Sequence, residues 1–142
     1  MPNEFLKRTA RTRRHNVNNV NFLLVITGWS PSDPLSHLEG DMAYGDGKLT
    51  VPVAGRYFIY AQLPFNSEGA VRIEVNNNLV SVITSPVVEG GLSAGNANGN
   101  GLFVLQAGDT ISLKINPYDA PPDGFVKFWF ANYSGYFGAF LI

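Results

Sequence analysis

Apolar side chains recur at every second position in short runs along this chain, and Gly, Pro, Asn and Asp separate the runs. A period of two sends alternate side chains to opposite faces of an extended strand, while few stretches keep helical spacing beyond about two turns. The pattern predicts strands over residues 19–27, 48–53, 56–65, 71–75, 79–84, 101–106, 110–115, 125–130 and 136–142, with a weaker one at 42–44. Turn residues stand between them: Ser30-Pro31-Ser32-Asp33-Pro34, Asn66-Ser67-Glu68-Gly69, Asn76-Asn77-Asn78 and Ala107-Gly108-Asp109. Asn tolerates the positive φ of a tight hairpin, so the three asparagines predict one between 71–75 and 79–84. Many short, Val-, Ile-, Phe- and Tyr-rich strands predict an all-β sandwich or barrel. Residues 90–101, with Gly95-Asn96-Ala97-Asn98-Gly99-Asn100-Gly101 at their centre, lack core-forming side chains and read as a surface loop or a ligand-contacting loop.

Two strands depart from simple alternation. In 56–65, Tyr57, Ile59, Ala61, Leu63 and Phe65 share one face, while Phe58 and Tyr60 share the other with Gln62. In the last strand Tyr136, Gly138, Phe140 and Ile142 oppose Phe137, Ala139 and Leu141. One face of each fills the sandwich; the other is also apolar and needs a cover. No predicted helix supplies it. A second copy of the chain would, as would a loop or the N-terminal segment of the same copy.

At 142 residues the chain suits one domain that folds without staples. There is no cysteine, which excludes disulfides, thiolate chemistry and Cys-based zinc sites. Charged residues are 15%, below the usual ~25%, in keeping with more than one buried face. Five of the ten basic residues (Lys7, Arg8, Arg11, Arg13 and Arg14) precede residue 16, leaving the rest with five bases against ten acids. A basic tail on an acidic body is not a nucleic-acid surface. No apolar run approaches the ~18 residues of a membrane span. The division expected is a basic tail at 1–16 and a folded domain at 17–142.

Four blocks resemble the tumour necrosis factor ligand family: GKLTVPVAGRYFIYAQLPF from Gly47, VRIEVNNNLVSVITSP from Val71, GLFVLQAGDTISLKI from Gly101, and the terminal YFGAFLI from Tyr136. They cover about half of the chain, in the family's order. The resemblance implies a ten-stranded jelly roll assembling as a homotrimer, with Phe58, Tyr60, Leu102, Tyr136 and Phe137 at the subunit interface. It implies an extracellular ligand, secreted or shed, that grips receptors of the tumour necrosis factor receptor type between subunits. Trp29, Asn76, Asn77, Asn78 and Tyr118 are the receptor-facing residues expected from it. The chain departs from the family at Asn98, where several ligands place an axial aromatic, and the short Asn76-Asn77-Asn78 turn lacks an apolar receptor contact. The globular heads of complement- and adiponectin-like proteins share the fold and fit nearly as well, and a structural trimerising knob is a third reading.

Arg11-Thr12-Arg13-Arg14 is similar to a furin-type processing site; a solvated tail or an acidic-surface contact are the other readings. Asn132-Tyr133-Ser134 permits glycosylation in a secretory setting. Catalytic groups are sparse: His15 and His37 are tied to no nucleophile, and no nucleophile elbow or phosphate loop occurs. Asp41 with Asp46, or Asp119 with Asp123, offer oxygen ligands to calcium but without the density of a dedicated loop. The expectation is no enzyme, no cofactor and no metal.

Overall fold

A computed structural model of the chain describes residues 9–14, 19–21, 25–27, 29, 36–86, 95–115, 125–128 and 135–142. In chain order the strands are β1 (Thr9–Arg14), β2 (Asn19–Asn21), β3 (His37–Glu39), β4 (Ala43–Gly45), β5 (Lys48–Thr50) and β6 (Gly55–Phe65). They continue with β7 (Ala70–Val75), β8 (Asn78–Thr84), β9 (Gly95–Leu105), β10 (Thr110–Lys114), β11 (Phe125–Lys127) and β12 (Gly135–Leu141). Among the described residues there is no helix. One sheet runs β3-β1-β12-β6-β9 and a second runs β4-β5-β10-β7-β8; β2 and β11 form a separate pair. The chain crosses between the two sheets after β3, β5, β6, β8 and β9, as in a jelly roll.

The inward alternate residues of both sheets meet in one core. Tyr57, Ile59, Ala61, Leu63 and Phe65 of β6 and Phe137 and Ala139 of β12 join Val71 and Ile73 of β7 and Ile111 and Leu113 of β10. Each aliphatic side chain so buried contributes about 1.5–3 kcal/mol. The Tyr57 hydroxyl donates to the Val53 carbonyl at 2.9 Å, which removes the cost of burying a phenol.

The hairpin expected at the three asparagines is present. Val75 pairs with Asn78, so the turn has two residues, Asn76 and Asn77, with φ of +51° and +65°. Two positive φ values give the primed turn whose twist matches its strands. The Asn76 side chain also joins this turn to the next: its amide donates to Asp109 at 2.8 Å and its oxygen accepts from the Thr110 N–H at 3.0 Å.

Two expectations are corrected. The glycine–asparagine segment is not a loop from Gly95 onward. It forms most of β9, in register with β6 from Gly55↔Leu105 to Phe65↔Gly95. Small residues are demanded on its inner face, where a Cβ on Gly99 would collide with Ile83. The basic segment is not a free tail: Thr9–Arg14 is a strand inside the first sheet, paired with β12 and β3. Of the strand expected at 19–27, residues 22–24 lie outside the described residues. Asn19–Asn21 pairs with β11, while Val25 bridges Lys114 and Ile26 donates to Leu113 at 2.8 Å in the second sheet.

Candidate functional site

The outward face of β12, β6 and β9 carries Leu102, Val104, Phe140 and Ile142, four of the exposed large hydrophobic residues among those described. Strand alternation sends Phe58, Tyr60 and Gln62 outward from β6, because Tyr57, Ile59, Ala61 and Leu63 are taken by the core. Tyr136, Phe140 and the terminal Ile142 take the same side on β12, and Leu102 and Val104 on β9. Register fixes the neighbours. Phe58 lies between Phe140 and Leu102, Tyr60 between Gly138 and Asn100, and Gln62 between Tyr136 and Asn98.

The rings form a connected set. Phe58 is 5.2 Å from Phe140 and 6.2 Å from Tyr60 between centroids, and Tyr60 is 6.2 Å from Tyr136 and 6.3 Å from Phe140. Gly138, opposite Tyr60, adds no side chain between the rings of Tyr136 and Phe140. The Tyr136 hydroxyl donates to the Gln62 amide oxygen at 3.3 Å. Around the aromatic set, Leu102, Val104 and Ile142 are 54%, 71% and 68% exposed. The face is graded along the strands. At the Phe58 end Leu102, Val104, Phe140 and Ile142 surround the ring, with the exposed Arg56 at the margin opposite Val104, and at the Gln62 end the exposed Asn96, Asn98 and Asn100 make it a row of amides. Contiguous exposed apolar surface of this kind marks an interaction site.

Over residues 27–142 the sequence matches the model of the TNF (Tumour Necrosis Factor) family. The chain belongs to the tumour necrosis factor family. Among solved structures it is similar to that of the Eiger TNF from S. frugiperda, with a TM-score of 0.70 and 13% identity over 96% of this chain and 92% of that one. At that identity the likeness is one of fold. Among curated proteins no sequence matches the chain significantly.

Seen as a tumour necrosis factor domain, the chain places its expected site residues unevenly. Phe58, Tyr60, Leu102 and Tyr136 share the outward face described above. Phe137 does not: it is wholly buried on the opposite side of β12, as its position next to Tyr136 requires. Trp29, expected to face a receptor, is 3% exposed. Its ring meets Phe137 edge-on at 4.9 Å, and its Nε1–H donates to the Ile26 carbonyl at 2.9 Å. Both are core residues. Asn76, Asn77 and Asn78 are exposed at the β7–β8 tip, with Asn76 engaged by Asp109 and Thr110. Tyr118, Asp119, Asp123 and the sequon at Asn132 lie outside the described residues.

Phe140, Val104 and Ile142 were missed as members of the outward face, although alternation from Tyr136 already puts Phe140 and Ile142 beside it. Leu79, half exposed beside the hairpin tip, was missed as well. Asp41 and Asp46 occupy tight turns with positive φ, and among the described residues no three His, Asp or Glu side chains are grouped to hold a metal. No helix among them is long and apolar enough to cross a membrane.

Proposed function

We propose that this chain is the receptor-binding domain of an extracellular, homotrimeric tumour necrosis factor ligand, which acts by binding and clustering cell-surface receptors without chemistry. One observation carries the reading: the outward face of β12, β6 and β9 bears Phe58, Tyr60, Tyr136, Phe140, Leu102 and Val104 in contact or in register, and among the described residues nothing covers it. Three copies meeting along this face would bury the aromatic rings around their common axis and leave three equivalent grooves. Tyrosine suits the junction, since its ring is buried while its hydroxyl keeps a polar partner. The β7–β8 tip, with Asn77, Asn78 and Leu79, is free to reach a receptor from the groove wall. Three grooves on one rigid body gather three receptors, and the gain comes from valency rather than from a single tight contact.

Light scattering on the purified chain, with binding of tumour necrosis factor receptor ectodomains measured on the same sample, tests this. A mass three times 15.5 kDa with saturable binding is the expected result. A monomer at micromolar concentration would dismiss the assembly, and a trimer that binds no such ectodomain would dismiss the receptor class.

A further inference from the structure

Asparagine and glycine alternate through the middle of β9, and the fold gives a reason for each. Gly99 and Gly101 point inward, where a Cβ would collide with Ile83 and with the ring of Phe103 respectively. Asn98 and Asn100 point outward and are exposed. The alternation produces Asn98-Gly99 and Asn100-Gly101, the two Asn-Gly dipeptides of the sequence. Asparagine before glycine is the pair most prone to deamidation, because no Cβ hinders the backbone nitrogen that attacks the side-chain amide. Backbone pairing decides whether that nitrogen is available. The Ile142 N–H donates to the Arg56 carbonyl at 2.9 Å, so Arg56 and every second residue after it in β6 turn their backbone polar groups toward β12. The residues between, Ile59 and Ala61 among them, turn theirs toward β9, where they stand opposite Gly101 and Gly99. Both glycine nitrogens are therefore held in the ladder, and the extended backbone keeps each asparagine amide away from the nitrogen that follows it.

The hold is uneven along the strand. β9 ends its sheet and, among the described residues, pairs with β6 alone. Its first half sends only small residues such as Ala97 and Gly99 inward, while its second half is anchored by Phe103 against the core and by the buried Leu105. Local opening begins where little apolar surface is buried. We propose that Asn98 and Asn100 are deamidation sites governed by the opening of β9 from β6, and that Asn98 reacts first. In the open strand the Gly99 nitrogen bonds to Cγ of Asn98. The amide nitrogen leaves as ammonia, taking up the proton that Gly99 gives up, and a succinimide closes. One water then opens the ring at either carbonyl, giving aspartate or isoaspartate; nothing is oxidised or reduced. Isoaspartate carries an additional carbon in the main chain, so β9 beyond it cannot regain its register with β6. Either product also places a carboxylate opposite Gln62. The inference holds for one copy or for an assembly and does not rest on the ligand reading.

The test incubates the full chain at mildly alkaline pH beside a synthetic peptide of residues 95–105, and follows aspartate and isoaspartate at each asparagine by peptide mapping and mass spectrometry. In the peptide the two Asn-Gly pairs should convert at similar rates. In the chain Asn98 should convert at least about tenfold more slowly than in the peptide, since a paired strand reacts only through its open state, and Asn100 more slowly again. Urea below the global transition should accelerate Asn98 the most. Chains isolated after conversion to isoaspartate at position 98 should melt below the parent. Rates equal to those of the peptide would overturn the hold of the ladder. Sites that stay unconverted until the chain unfolds globally would overturn local opening of β9. Conversion at Asn66 or Asn76 ahead of Asn98 would overturn the assignment to this strand.

Discussion

Gly99 shows how a single missing side chain sets the distance between two sheets. Its position in β9 faces Ile83 and Ile73 of the opposite sheet, and a Cβ there would overlap Ile83. Gly99→Ala should lower stability by about 1–3 kcal/mol through overpacking, read as a fall in melting temperature; an unchanged melting temperature would mean that the sheets separate freely at that point. Asp109 makes a different prediction. Its carboxylate accepts the Gln106 N–H and the Asn76 amide, and these bonds hold its pKa below the ordinary value of 3.8. A carboxyl depressed by folding adds stability above its unfolded pKa, and that stability is lost as the pH falls through the folded value. The melting-temperature deficit of Asp109→Ala should therefore be full near neutral pH and shrink below about pH 4. A deficit that stays constant into acid would remove the charge from the account. Residue identity was legible where alternation spoke, as at Tyr57 against Phe58. It failed at Trp29, because a lone aromatic in a Pro- and Ser-rich stretch carries no periodicity to say which way it points.

At the scale of elements, the long β6, the β7–β8 hairpin and the terminal strand were legible because apolar periodicity and turn chemistry agree there. β9 was half missed for a physical reason. Alternation persists through Ala97, Gly99 and Gly101 inside and Asn96, Asn98 and Asn100 outside, but the inner residues are small because the opposite sheet comes close. A period of two written in glycine and asparagine carries no hydrophobic contrast, so it passed for a loop. If the segment is a strand, Asn98→Thr should raise stability by up to about 1 kcal/mol, since a β-branched residue suits a pleated, half-solvated position. In a mobile loop the same change would leave chemical denaturation where it was. β1 was missed because charge outweighed pattern: the threonines and arginines of residues 9–14 show no apolar face, and their strand is held through backbone pairing with β12. The sequence therefore showed which strands fill the core and concealed those that only extend a sheet.

For the whole molecule, the same strands that close the core leave a second apolar face turned outward, uncovered among the described residues. Tyr60 and Tyr136 are half-buried on that face, one against the other and beside Phe58 and Phe140. Their partly open position separates folding from assembly. Placing a carboxylate at either site costs little in a single copy, where water reaches it. In an assembly the same charge would be unpaired and desolvated, at several kcal/mol per ion by order of magnitude. The double variant Tyr60→Asp, Tyr136→Asp should therefore keep the β-sheet spectrum of the parent while its sedimenting mass drops to a single 15.5 kDa chain. Phe137→Ala is the contrast. It empties a core position behind the same strand and should cost about 3–5 kcal/mol of stability with the mass unchanged while the protein remains folded. If the aspartates unfold the chain, or if the parent and the double variant sediment alike, the outward face does not join copies and its aromatic rings serve the fold of one chain alone.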